Sequence, residues 1–434
     1  MKHWPHLKIC LLLMTCLSAL TLQAQDASQN ILKVGNWDEY IDEDLIGEFE
    51  QWYQQQTGKT VKVDYNIYDF PERELDDIMA GKKYYDAFCP PEYLVERMIR
   101  RQLLQKLDTS FTAKGIPNWT NCTSLFVDSI MQLIGNTVGV STKDYAVGYI
   151  WGNTGVLINT KYVQPDEVRS WNFLLNPKFK DKVVIKDSFS DIYNLLLNYG
   201  HYDDLKKGYL TRNQLASHAT NENIQLYQEL LEKIRPQLTA FEVDDDKELM
   251  LDGQHWMSVT WNGDAKWVID SVADGINMQY IVPIEGSGCW VDCWVVPTCA
   301  KNSEAANYWI NFLSKPENAP RTLAVTGYSS AIATPEILEA ITDSSLSEAI
   351  DLSYFFGPEA TAVHVDGTMY PDLTVIQRCG LLRDCGDRQE EIRDIWEDTK
   401  QMSVATVWPY IIAAGLLIVL LLGVIGWKVS RRKA

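Results

Sequence analysis

A chain of 434 residues with 46% apolar and 11% aromatic side chains can build a large core, which excludes a disordered protein. Its formal charge is −19, and because both ends are basic the middle is more acidic still. Such a surface repels nucleic acid and anionic lipid headgroups and concentrates cations.

Residues 1–24 carry Lys2 and Lys8, run apolar over 9–20 and end on Leu22-Gln23-Ala24, the layout of a secretory signal peptide. Residues 31–34 read as a strand running into Asn36-Trp37-Asp38-Glu39-Tyr40, and Leu45, Phe49, Trp52 and Tyr53 follow at helical spacing. A strand over 61–65, a helix marked by Leu75, Ile78 and Met79, and a strand over 85–89 stopped by Pro90-Pro91 complete a doubly wound α/β pattern. Residues 106–148 show no clear period. Further strands are predicted at 149–159, 183–185, 255–261, 278–283 and 288–297. Helices are predicted at 190–199, 225–234, 245–251, 262–272, 303–313 and 387–400.

The run 411–425 is uncharged and flanked by Trp408, Tyr410 and Trp427. The span 407–427 is long enough to cross a bilayer core of ~30 Å, and Arg431-Arg432-Lys433 would put the tail 428–434 in the cytoplasm. The topology expected from sequence is an exported domain tethered by one C-terminal transmembrane helix. Of nine cysteines, Cys10 and Cys16 leave with the signal; Cys379 and Cys385 are spaced for a loop disulfide. No Cys or His spacing marks a metal site, and no cofactor motif is present.

Four places pair an aromatic with a carboxylate, or set a carboxylate at a helix start, next to a strand end. They are Trp37 with Asp38, Glu39 and Tyr40; Trp261 with Asp264; Trp290 with Asp292; and Asp191 in a first helical turn. On a strand Trp290 and Asp292 share a face, so an indole and a carboxylate point the same way. That combination suits an organic cation: the ring face attracts the charge, and the carboxylate neutralises it and accepts its N–H bonds. Any one pair is equally a core Trp beside an Asp at a strand end. Sequence spacing alone does not bring the four together.

The chain resembles the periplasmic spermidine/putrescine-binding proteins of ABC importers over about residues 31–400. Carrying the resemblance are Asn36-Trp37-Asp38-Glu39-Tyr40, Tyr85-Asp86 through Pro90 to Tyr93, Tyr149-Ile150-Trp151-Gly152, Ser170-Trp171, Trp261-Asn262-Gly263-Asp264, Trp290-Val291-Asp292, Gly327-Tyr328 and Tyr370-Pro371-Asp372. It implies a type II periplasmic-binding fold, two α/β lobes closing on a cleft. The lobes would be 30–146 with 293–331, and 147–292 with 332–401. Position by position, Trp37, Asp38, Tyr40, Tyr93 and Tyr328 would line the cleft, and Trp261 and Trp290 would flank a methylene chain. Glu39 and Asp292 would hold ammonium groups, Asp191 would stand at another family acid, and Asp264 would match an acid of the putrescine-preferring branch. The implied partners are a polyamine and the permease of an importer in the inner membrane; the implied location is its periplasmic face.

Several positions depart from the family. Pro91 replaces a serine, Ser188 stands where the spermidine-preferring branch has an acid, and a late polar contact falls near Leu382 or Arg383. The same fold could take another organic cation or an amino acid, or could sense a ligand for a membrane partner. Catalysis is disfavoured: there is no Gly-x-Ser-x-Gly, no His-Glu-x-x-His, no phosphate loop, and only six histidines.

Overall fold

The computed structural model describes residues 30–243 and 245–401. Apolar and β-branched runs place the strands. Leu32 and Val34 are buried on β1 (Ile31–Asn36), which pairs in parallel with β2 (Lys62–Ile67) and β3 (Ala87–Phe88). The helices Asp44–Thr57 and Pro71–Met79 make the crossovers. The first turns Leu45, Phe49 and Tyr53 into the core and ends at Gly58, whose φ of 73° no β-carbon would tolerate well.

From here the described residues build one continuous eleven-stranded sheet. The fourteen residues of β4 (Ala146–Asn159) are all buried, and the strand serves both halves of the sheet. Its first part pairs with β9 (Ser287–Val295), and its second with β7 (Met257–Trp261) and β8 (Met278–Ile281). Beyond β7 lie β5 (Val183–Lys186) and β6 (Leu238–Glu242), both parallel. The short strands β10 (Ser329–Ser330) and β11 (Cys379–Leu381) attach to β4 and β9. Hydrophobic side chains gather into two large clusters. One lies around Phe49, Phe88, Trp294 and Trp309, the other around Trp171, Phe179, Tyr227 and Trp396. Each half of the sheet therefore has its own core, and β4 joins them.

Three differences from the sequence reading have physical causes. β6 was missed because only Leu238 of its five residues is buried, so no alternation marks it. The helix Leu125–Val138 fills part of the region without a clear period. Ser124 caps it, and Val127, Ile130, Met131 and Ile134 form its buried stripe, while an exposed Leu125 blurs the pattern. The expected loop disulfide is not formed: Cys379 and Cys385 are free, each thiol resting against a backbone carbonyl.

The expected C-terminal transmembrane helix is corrected. Among the described residues no helix is long and apolar enough to cross a membrane. The stretch 407–427 and the tail 428–434 lie outside the described residues, as does the signal peptide 1–24. The described residues make two α/β halves, and no helix among them spans a membrane.

Candidate ligand-binding site

The site forms where doubly wound sheets bind ligands, at the carboxyl ends of strands. β1 delivers Trp37 to Tyr40, β7 delivers Trp261, and the helix Asn262–Ser271 presents Asp264 from its first turn. β9 contributes Trp290 and Asp292 on one face. Tyr93 comes from the start of the helix Glu92–Arg100, and Asp191 from the first turn of Phe189–Gly200. Tyr328 follows Gly327, the left-handed cap of Ala319–Thr326. All eleven candidate residues line one cavity of about 360 Å³.

Aromatic rings make the walls. Trp261 stands edge-on to both Trp37, at 5.9 Å, and Trp290, at 6.1 Å. Tyr328 closes the row, 5.5 Å from Trp290 and 5.4 Å from Tyr40. Two glycines make room for them. A β-carbon on Gly152 would sit 2.6 Å from the Trp290 ring, and one on Gly263 would sit 2.3 Å from Tyr328. Tyr93 turns its hydroxyl to Glu72, 2.5 Å away, so it offers the cavity chiefly its ring.

The buried carboxylates divide into two kinds. Asp292 is 3% exposed and Asp191 is 2% exposed, and among the described residues neither has an ion-pair partner. Asp292 accepts the Tyr40 hydroxyl at 2.7 Å. Burial raises its pKa to about 7, the Tyr40 bond opposes the rise, and the nearby charge of Asp191 adds to it. Asp191 accepts from Thr154 at 2.5 Å, Ser188 at 2.7 Å and the Trp261 indole at 3.1 Å. Burial still raises its pKa above the usual carboxylate range.

Asp264 and Glu39 are of the other kind. The Asp264 carboxylate lies 2.5 Å from the Lys186 ammonium and accepts the Tyr328 hydroxyl at 3.0 Å. Glu39 meets the Lys247 ammonium at 2.6 Å, across the cleft from the other half of the molecule. Its backbone is left-handed, φ 48°, with its N–H donated to Asp38. Strain of this kind gathers at working sites.

Sequence reasoning missed Lys247, Trp267, Glu43, Ile41, Val325 and Thr326 in the wall, and Lys186 behind it. A signal for Lys186 existed: it is the last residue of β5, at a carboxyl end. Pro91, Ser188 and Leu382 line the cavity, whereas Arg383 turns to Glu96 at 3.0 Å.

Residues 48–345 match the family of bacterial extracellular solute-binding proteins, and the chain belongs to that family. It is 27% identical over 385 residues to a spermidine/putrescine-binding periplasmic protein of Salmonella typhimurium, covering 88% of this chain and 95% of that one. To the putrescine-binding periplasmic protein SpuD of Pseudomonas aeruginosa it is 29% identical over 354 residues, covering 76% and 87%. A solved structure from Listeria monocytogenes, described provisionally as a spermidine/putrescine ABC transporter, superposes with a TM-score of 0.67 at 24% identity. That superposition covers 86% of this chain and 99% of the other, and it supports the α/β periplasmic-binding fold. The family is one of binding proteins, not enzymes.

Proposed function

We propose that this protein is a periplasmic receptor that captures a polyamine for an ABC importer, with putrescine favoured over spermidine. The observation that carries the reading is a pair of buried carboxylates, Asp191 and Asp292, with no ion-pair partner among the described residues, in a cavity walled by indoles and phenols. An alkyl diamine has two charges and a greasy middle. It needs an acid for each end and π-rich walls between them. Asp292 and Asp191 receive ammonium groups, while Trp37, Trp261, Trp290 and Tyr328 flank the methylenes. Tyr40 orients Asp292, Tyr93 closes one side, and Asp38 draws cations to the mouth, where Glu39 is already paired with Lys247.

The names of the Salmonella and Pseudomonas relatives support the ligand class and the compartment. Ser188 and Leu382, which bring no charge to the wall, support the shorter amine. Capture proceeds by closure of lobes 30–146 with 293–331 on 147–292 with 332–401, the halves moving about β4 and β9.

Calorimetric titration of the purified protein tests the proposal. Putrescine is expected to bind with a dissociation constant of micromolar or below, and spermidine more weakly. No heat from putrescine, spermidine, cadaverine or agmatine would end it. An amino acid ligand is the second reading, favoured by Lys247 in the wall; the Glu39 carboxylate against that ammonium weighs against it.

A further inference from the structure

The Lys186 side chain is wholly buried. Its ammonium sits 2.7 Å from Asp246 and 2.5 Å from Asp264, donates to the Val243 carbonyl, and lies 4.5 Å from the centre of the Trp261 ring. A cation held between carboxylates against an indole face is the arrangement a bound alkylammonium would adopt. Here the chain supplies the cation itself. Burial by itself would favour a neutral amine, but the two carboxylates outweigh it and hold Lys186 charged.

We propose that Lys186 is a specificity-determining residue: it fills one ammonium position of the cleft from within, so that a third ligand ammonium finds no buried acid. This rests on the polyamine reading above. Asp264 lines the cavity, yet its charge is already matched, and Lys247 does the same for Glu39. Of the buried acids in the wall, that leaves Asp191 and Asp292, one for each end of a diamine. The remaining acids, Asp38 and Glu43, are solvent-exposed at the mouth, where an ion pair contributes little. A triamine must therefore leave one charge unpaired or displace Lys186 from two carboxylates at once.

The test is the double variant Lys186→Met with Asp246→Asn, which removes one charge of each sign and leaves Asp264 unpaired. Competition binding is expected to raise affinity for spermidine relative to putrescine on the order of tenfold over the parent protein. Asp246→Asn alone, which keeps Lys186 on Asp264, is expected to retain the parent ratio. An unchanged ratio in the folded double variant would overturn the assignment, as would tighter binding of 4-aminobutyrate than of putrescine by the parent protein. No amine binding by the parent protein would overturn the proposed function and this inference with it. If the double variant does not fold, a crystal structure of the parent protein with putrescine decides. Lys186 is expected to stay on Asp264; a ligand nitrogen in contact with Asp264 and Lys186 turned away would refute the assignment.

Discussion

The Tyr40 hydroxyl donates to Asp292 at 2.7 Å across 252 residues of sequence, joining the end of β1 to the middle of β9. The bond fixes one carboxylate oxygen, Oδ2. It also holds an acid that burial pushes towards the neutral form. Most of what the site is expected to do follows from that tension.

Truncation of Asp292 removes one partner of a buried charge pair in the complex. Asp292→Ala is expected to weaken putrescine binding by about 2–5 kcal/mol, read by calorimetry. A loss no larger than that of Asp38→Ala at the exposed mouth would place the ammonium elsewhere.

Without ligand the same acid is a liability. Its folded pKa, about 7, lies above the ordinary carboxylate value, so the folded protein holds a proton that the unfolded chain gives up. Stability of the empty protein is therefore expected to fall as pH rises from about 4 to about 7 and to level off above. Asp292→Asn is expected to weaken binding as Asp292→Ala does, yet raise the melting temperature of the empty protein near pH 8 by a few degrees. An unchanged or lower melting temperature there would contradict the strained-acid account.

Trp261 stands between Trp37 and Trp290 and also donates its indole N–H to Asp191 at 3.1 Å. Trp261→Phe keeps a ring but loses that bond, and is expected to cost about 1–3 kcal/mol in putrescine affinity. Trp261→Ala is expected to cost more, because the ring face is lost as well.

Gly263 has no room for a side chain, since a β-carbon would meet the Tyr328 ring at 2.3 Å. Gly263→Ala is expected to push Tyr328 off Asp264 and lower diamine affinity by roughly tenfold, with a structural cost of about 1–3 kcal/mol. A variant of parent-like affinity would remove Tyr328 from the binding wall.

Sequence made much of this legible, for identifiable reasons. β1, β7 and β9 carry β-branched or aromatic runs, so the residues on them and just beyond their ends could be named, and the structure brings all eleven into one cavity. What stayed hidden depends on contacts between distant residues. Nothing near Lys186 announces that Asp246 and Asp264 will meet its ammonium, and Glu39 and Lys247 are 208 residues apart. The acids were therefore countable and their internal neutralisation was not. The uncharged run 407–427 was equally conspicuous, but it lies outside the described residues, and no helix among those is long and apolar enough to span a membrane.

The central claim is that a buried carboxylate, its pKa pushed up to about 7, gives up its proton to receive a ligand ammonium. Calorimetry near pH 6.5 in buffers of different ionisation enthalpy measures the protons exchanged on binding. Because burial pushes the Asp292 carboxyl up to about 7, putrescine is expected to release part of a proton from it. Binding with no proton release, unaltered in Asp292→Asn, would contradict the account.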